Sequence, residues 1–337
     1  MSTSEPRHVV VTGGAGYIGA VLVPELLEEG WRVTVLDRFI FGEEPLRPVL
    51  DHPRLSRVRG DIRDPEVVHA TLCQEVDAVI HLAAISNDPS AELDPGITRS
   101  INGEACRLVM TEAKRCGVAR FLYASSASVY GIKETPDVTE ELELEPITLY
   151  ARCKADGEAV LEELADDGFV AVTVRSATVC GDSPRLRLDL TINLLTDQAL
   201  RLGWIRVFGG TQQRPNIHVR DLTRFYRNLL DADPAVVNGE AFHVCHRNDS
   251  IMGLAEMIRD EVDPGLEIRT EPTDDLRSYH LSNGKAREVL GFEPEQELVE
   301  AVRELVERYE TPLEPDAGGD WYRNVRWMKG HPELWRR

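Results

Sequence analysis

The stretch His8-Val9-Val10-Val11-Thr12-Gly13-Gly14-Ala15-Gly16-Tyr17-Ile18-Gly19 decides the fold. Its β-branched first half reads as a short strand, and it runs directly into a glycine turn. A helical pattern comes next, through Glu28, and ends at Gly30. Arg32-Val33-Thr34-Val35-Leu36 reads as a second strand, with Asp37 at its end. Strand, glycine turn, helix, strand and acid within about thirty residues form a dinucleotide-binding unit. Gly14-x-Gly16-x-x-Gly19 alone would be an ordinary turn pattern, and its surroundings give it meaning. Glycines allow the backbone to turn tightly and approach closely, so the N-terminus of the next helix can face a pyrophosphate. Gly13, Gly16, Tyr17, Ile18 and Gly19 are therefore expected against the cofactor.

Asp37 bears on which nicotinamide cofactor is bound. A carboxylate there accepts hydrogen bonds from the adenine-ribose hydroxyls and repels a 2′-phosphate, which favours NAD. Arg38 beside it works in the other direction, since an arginine can accommodate that phosphate.

Working outward, Leu55 to Arg59, Asp77 to Ala84, Ala119 to Ala124 and Val170 to Val174 read as further strands. Ser100 to Cys116 and Tyr150 to Ala165 read as helices between them. Strands alternating with helices predict an α/β fold, a doubly wound parallel sheet of the Rossmann type. Ligands bind at the carboxyl ends of such strands, where the glycine turn, Ala83-Ala84 and Ser126 all fall. Tyr150 and Lys154 stand four apart, on one face of their helix.

Composition bounds the rest. The 337 residues, 42% hydrophobic, are enough for a sizeable core. A net charge of −20 argues against nucleic acid and anionic membranes as partners, so any anionic ligand must be held by specific arginines. The N-terminus enters the first strand without a signal-type apolar region, and no stretch approaches a membrane span. The six cysteines show no CxxC, and most lie in apolar runs. They are expected as reduced core thiols of a cytoplasmic protein. His243-Val244-Cys245-His246 alternates across a strand, so no metal site is expected there.

Thr12-Gly13-x-x-Gly16-x-x-Gly19, Asp61, His81-Leu82-Ala83-Ala84, Asn102, Ser126 and Tyr150-x-x-x-Lys154 together resemble the extended short-chain dehydrogenases/reductases. Within them the chain is similar to the NAD-dependent nucleotide-sugar epimerases and dehydratases of the UDP-glucose 4-epimerase type, from about Val9 to about Tyr309. The resemblance implies Tyr150 as general base on a sugar hydroxyl, with Ser126 hydrogen-bonded to the same hydroxyl. A free tyrosine titrates near 10, and Lys154 with the nicotinamide ring would favour its phenolate. Lys154 would also bind the nicotinamide ribose. Asp61, Ile62, Leu82, Ala83, Ala84 and Asn102 would complete the NAD site.

The resemblance also implies a smaller C-terminal α/β domain that binds a nucleotide-diphosphate sugar. Residues 1–178, completed by about 221–246, are expected as the NAD domain, and 179–220 with 247–337 as the substrate domain. Ser86, Ser126, Ala127, Ser128, Thr178 and Asn193 are expected against substrate, with Arg214 and Arg277 clamping the diphosphate. Many relatives carry Asn where Thr178 stands. Arg185, in Arg185-Leu186-Arg187-Leu188-Asp189, either helps hold a uronate or sits at a loop–helix junction satisfied by local carboxylates. A homodimer through the 100–116 and Tyr150 helices is expected.

The two residues after Ser126 discriminate among reactions. The 4,6-dehydratases place Asp-Glu directly after this hydroxyl residue, UDP-glucuronate decarboxylases typically carry Glu where Ser128 stands, and 3,5-epimerases carry Cys. Here Ala127-Ser128 supplies no acid. Oxidation and re-reduction at one carbon, a 4-epimerase-type reaction, fits that composition. A 4-keto-sugar reductase, a UDP-uronate 4-epimerase, a related dehydratase and a silent NAD-binding sensor are the alternatives.

Overall fold

The computed structural model describes residues 6–133, 135, 137–273, 280–311, 313 and 319–336. Among the described residues twelve strands run in chain order: β1 His8–Thr12, β2 Arg32–Asp37, β3 Leu55–Arg59, β4 Ala78–His81, β5 Arg120–Ser126, β6 Val170–Ser176, β7 Thr178–Cys180, β8 Trp204–Phe208, β9 Gln213–His218, β10 Glu240–Val244, β11 Arg247–Ser250 and β12 Glu267–Glu271. Seven of them form one parallel sheet in the order β10-β6-β5-β4-β1-β2-β3. This is the doubly wound α/β sheet expected from the alternation of elements.

Its central strands are covered on both faces, which is why they read as continuous apolar runs instead of alternating ones. Val9, Val10 and Val11 are all fully buried. Val9 and Val11 pack with Leu22, Leu26 and Phe225 on one side. Val10 packs with Val68, Val109, Met110 and Phe121 on the other. The strand order reverses at β1, which pairs with β2 on one side and β4 on the other. A crevice opens at the carboxyl ends of strands at such a reversal.

After β6 the chain builds a second set of elements. β7, β9 and β11 make a three-stranded sheet, and β8 pairs with β12. Ile192, Leu195, Ile205, Leu254 and Leu298 form a separate core beneath them. Between these elements the chain returns to add β10 to the edge of the main sheet beside β6.

Two features depart from expectation. First, Arg99–Ala105 is a π-helical segment running into an α-helix over Cys106–Arg115, instead of one regular helix from residue 100. The wider turn carries Asn102, whose side chain accepts from Ile85 N at 2.8 Å and donates to Ile85 O at 2.8 Å. Second, not all cysteines are core thiols. Cys106, Cys153, Cys180 and Cys245 are buried and free, but Cys73 and Cys116 form a disulfide. The helices over Pro65–Leu72 and Cys106–Arg115 end side by side, which brings the two Cα atoms to 4.9 Å.

The tryptophan-rich C-terminal segment packs on the core of its own chain. Tyr322 joins Leu186, Leu188, Leu305 and Leu313, while Met328 and Trp335 pack with Ile85 and Ala91. Two indole N–H groups, Trp321 Nε1 and Trp327 Nε1, donate to the carbonyls of Phe41 and Ile40, each at 3.0 Å. Among the described residues no helix is long and apolar enough to cross a membrane.

Candidate active site

A cavity of about 490 Å³ opens at the carboxyl ends of β1, β2, β4, β5 and β6. The glycine turn forms one wall. Gly13 has φ +71°, and a Cβ there would lie 2.7 Å from Ala83 N, so the turn after β1 and the end of β4 fit only with hydrogen at that position. A Cβ on Gly19 would lie 2.5 Å from Gly14 backbone atoms. A Cβ on Gly16 would meet little besides the Gly13 carbonyl at 3.1 Å, so that face of the turn is open to a ligand. The helix over Gly19–Glu28 has no acid in its first turn to oppose an anion at its N-terminus.

Asp37 closes the end of this wall. Its Oδ2 accepts from Ala15 N at 3.0 Å and its Oδ1 from Phe39 N at 2.8 Å. These bonds fix the carboxylate while each oxygen keeps a further lone pair for a ribose hydroxyl. Burial pushes its carboxyl up, and the N–H bonds pull the other way. Arg38 turns its guanidinium to Asp61, 3.0 Å away, and to the Trp335 carbonyl at 3.2 Å. Burial acts to raise Asp61, but Arg63 and Arg38 together hold it below its ordinary value. The arginine that spoke for a 2′-phosphate is thus already engaged by a carboxylate. Ile62, Leu82, Ala83 and Ala84 line the same part of the cavity.

The opposite wall carries Ser126, Tyr150 and Lys154, the side chains expected to do the acid–base chemistry. Ser126, the last residue of β5, accepts from Ser128 N at 3.2 Å and from Ser128 Oγ at 3.0 Å. Tyr150 and Lys154 lie near the start of the helix over Leu149–Leu164. Thr148 caps that helix by accepting from Ala151 N at 3.1 Å, and its own hydroxyl donates to Asp88 at 2.6 Å. Lys154 is 5% exposed and donates from Nζ to Ala124 O at 2.6 Å. Its Nζ stands 5.8 Å from the Tyr150 ring centre and 5.0 Å from that of Tyr123. Burial lowers its pKa. Ser126, Tyr150 and Lys154 all face the one cavity.

Of the residues expected against substrate, Ser86, Ala127, Ser128, Thr178, Arg185 and Arg214 line it and Asn193 does not. Asn102, expected in the NAD site, does not line it either. Asn102 fastens the loop after β4 through both Ile85 backbone groups. Asn193 is fully buried, accepts from Gly181 N at 3.0 Å, and donates to the Arg187 carbonyl and the Tyr17 hydroxyl. It ties the second set of elements to the glycine turn from behind the cleft. Arg277 lies outside the described residues.

The two arginines of the Arg185–Asp189 loop separate cleanly. Arg187 makes a two-pronged pair with Asp189, at 2.9 and 3.1 Å, and donates to Ser86 Oγ at 3.1 Å. It is satisfied locally. Arg185 is 1% exposed, forms no ion pair among the described residues, and leaves its Nε without a hydrogen-bond partner. Its guanidinium is stacked 3.7 Å from the Phe41 ring and 4.6 Å from that of Trp321, and it donates to Asn324 Oδ1 at 2.9 Å. Burial lowers its pKa to about 9, with Arg187 adding to the effect, so it remains a cation at neutral pH.

Asn324, Met328 and Trp335 also line the cavity. Nothing in the sequence assigns them to the site, because they lie past the stretch with any motif. The one signal is the density of indoles after Asp320.

The sequence profile of the NAD dependent epimerase/dehydratase family matches residues 9–245. The chain belongs to that family. UDP-glucuronic acid decarboxylase 6 of Arabidopsis thaliana is 30% identical over 322 residues, covering 91% of this chain and 90% of that protein. Among solved structures, a dTDP-glucose 4,6-dehydratase from Streptomyces venezuelae with NAD bound superimposes with a TM-score of 0.78 at 26% identity, covering 97% and 98% of the two chains. A protein named MoeE5, in complex with UDP-glucuronic acid and NAD, superimposes with a TM-score of 0.77 at 28% identity, covering 90% and 100%. This epimerase/dehydratase is accordingly an NAD-dependent enzyme of nucleotide-sugar chemistry, and the glycine cradle, the fixed Asp37 and the paired Arg38 suit NAD.

Proposed function

We propose that the chain is a 4-epimerase of a nucleotide-diphosphate sugar, and that the sugar is a uronate. The first half of this rests on the hydroxyl pair at the end of β5. Ser126 and Ser128 bond to each other in the cleft, and no carboxylate stands at 127 or 128 to eliminate water or steer a carboxylate-losing step.

Bound NAD supplies reversible oxidation at the sugar carbon. The protein's part is positional and acid–base. Ser126 Oγ, fixed by two bonds from Ser128, offers a hydrogen bond to the reacting hydroxyl. Tyr150 takes the proton of that hydroxyl and returns it after the sugar has turned. Lys154, held by Ala124 O, keeps a positive charge beside the phenol and so favours its phenolate. Asp37 holds the adenine ribose, and Arg214 the diphosphate.

The uronate rests on Arg185. A buried cation that forms no ion pair among the described residues and keeps a spare Nε–H calls for an anion in the cleft, and a sugar carboxylate is one. The MoeE5 complex with UDP-glucuronic acid and the Arabidopsis decarboxylase support a UDP-uronate. A UDP-glucuronate decarboxylase is the second reading, favoured by the Arabidopsis relative and opposed by Ser128. Incubation of the protein with NAD and UDP-glucuronate, with proton NMR of the products, tests the proposal. A product inverted at C4 alone with its carboxylate retained supports it, and a pentose product overturns it.

We further propose residues 1–178 with 221–246 as the NAD domain, and 179–220 with 247–337 as the nucleotide-sugar domain. A cytoplasmic homodimer through the helices over Cys106–Arg115 and Leu149–Leu164 completes the proposal, and a monomer mass in sedimentation at micromolar concentration would refute the dimer.

A further inference from the structure

The Cys73–Cys116 disulfide does not stand alone. His69 stands four residues before Cys73, which caps the C-terminus of its helix, and Glu112 stands four before Cys116, which caps the neighbouring helix. Each spacing puts both side chains on one helical face. The two faces meet, so that one nitrogen, one carboxylate oxygen and two sulfurs all lie within 4.8 Å of one another. None of the four lines the active-site cavity.

The geometry points to a second function for these side chains: in the reduced protein they form a four-coordinate site for zinc or a similar divalent transition metal. A cation with bonds of about 2.0 Å to nitrogen or oxygen and about 2.3 Å to sulfur has tetrahedral edges of about 3.3 to 3.8 Å. Cys73 Sγ lies 3.3 Å from His69 Nδ1, Cys116 Sγ lies 3.9 Å from the same nitrogen, and Cys116 Sγ lies 3.7 Å from Glu112 Oε1. Three edges of the tetrahedron are thus already close to length. The His69–Glu112 edge, now a 2.6 Å contact, must open by a fraction of an ångström, and the sulfurs must part.

Charge supports the same assignment. Two thiolates, one carboxylate, a neutral imidazole and a divalent cation sum to −1. Arg115 brings the compensating charge, with Nε 2.8 Å from Glu112 Oε2 and Nη2 2.6 Å from both Glu112 Oε1 and His69 Nδ1. Its side chain is 60% exposed, so Nη2 can withdraw from His69 while Nε keeps its hold on the carboxylate. The result is a ligand held by an outer hydrogen bond, as metal-binding carboxylates commonly are.

The site requires a two-electron reduction first. Two equivalents of a small-molecule thiol cleave the Cys73–Cys116 bond, giving two cysteine thiols and one small-molecule disulfide. Metal binding then releases both thiol protons to solvent. Disulfide and metal are alternative occupants of one cluster, and its redox state selects between them.

The test uses full-length protein reduced with a small thiol, cleared of metal with a chelator and desalted under argon, then titrated with Co²⁺. The expected result is one equivalent of cobalt with a thiolate-to-metal charge-transfer band, displaced by one equivalent of Zn²⁺. His69→Ala should weaken the binding at least tenfold, and oxidised wild-type protein, which keeps its fold and has both sulfurs blocked, should bind none. Reduced protein that retains no stoichiometric cobalt, or oxidised protein that retains it equally, would overturn the assignment. So would a band that survives Cys73→Ser.

Discussion

Removing the charge of Lys154 gives the most direct test of the proposed activation of Tyr150. Lys154→Met keeps the length and apolar stem of a buried side chain but deletes its cation. The charge lies 5.8 Å from the Tyr150 ring centre. At an effective dielectric constant of about 20, two unit charges at that distance interact by about 3 kcal/mol, or about two pH units. Loss of a nearby cation disfavours the phenolate, so the Tyr150 pKa should rise by about that amount. With saturating NAD and nucleotide sugar, the acidic limb of the kcat profile should move about two pH units upward. Turnover at neutral pH should fall about 100-fold and recover as the pH rises. The Ala124 carbonyl also loses its donor, which costs about 1–3 kcal/mol of stability and should appear separately in a urea melt. A loss of equal size at every pH, with the limb unmoved, would mean that Lys154 positions the cofactor and does not tune Tyr150.

The geometry leads to four further expected outcomes. Asp37→Ser removes a charged hydrogen-bond acceptor for the ribose, so the KM for NAD should rise on the order of 10–100-fold and discrimination against NADP should fall, as steady-state kinetics with both cofactors would show. If Arg185 holds a sugar carboxylate as proposed, Arg185→Gln should raise the KM for UDP-glucuronate more than tenfold while changing that for UDP-glucose little. Trp335→Ala empties a 3% exposed position against Met328 and Ile85, costing about 3 kcal/mol in denaturant melts. Finally, burial lowers His81 and His243 to about 3 from an ordinary 6.5. Their contribution to stability is complete above pH 6.5 and is lost as pH falls towards 3, since only the unfolded chain takes up the protons. The two together should cost on the order of 4 kcal/mol between pH 8 and pH 5, and His243→Asn should flatten that slope in urea melts read at a series of pH values.

The parallel sheet was legible because its signals are local. A valine run entering glycines, and an acid closing the next strand, each reflect sterics or charge within a few residues. Tyr150, Lys154 and Ser126 were legible for the same reason, as spacing and strand-end position place them. Arg185 and Arg187 could not be told apart in sequence, because which of them takes Asp189 depends on the turn of one loop. Asn102 and Asn193 pointed to ligand contacts, but their amides reach backbone groups behind the cleft, and a polar side chain at a loop fits either use. Cys73 and Cys116 lie 43 residues apart, and their meeting depends on two helices ending side by side. The C-terminal segment reaches the cavity through long-range hydrogen bonds such as Trp327 to Ile40, which no local pattern announces.

The central claim is that the site inverts one carbon and keeps the sugar otherwise intact. Proton and carbon NMR of UDP-glucuronate labelled with ¹³C at the carboxylate, incubated with the protein and NAD, tests it in one experiment. The account predicts a single new UDP-uronate, epimeric at C4, with the label retained in the sugar. Appearance of labelled carbon dioxide with a UDP-pentose would contradict it.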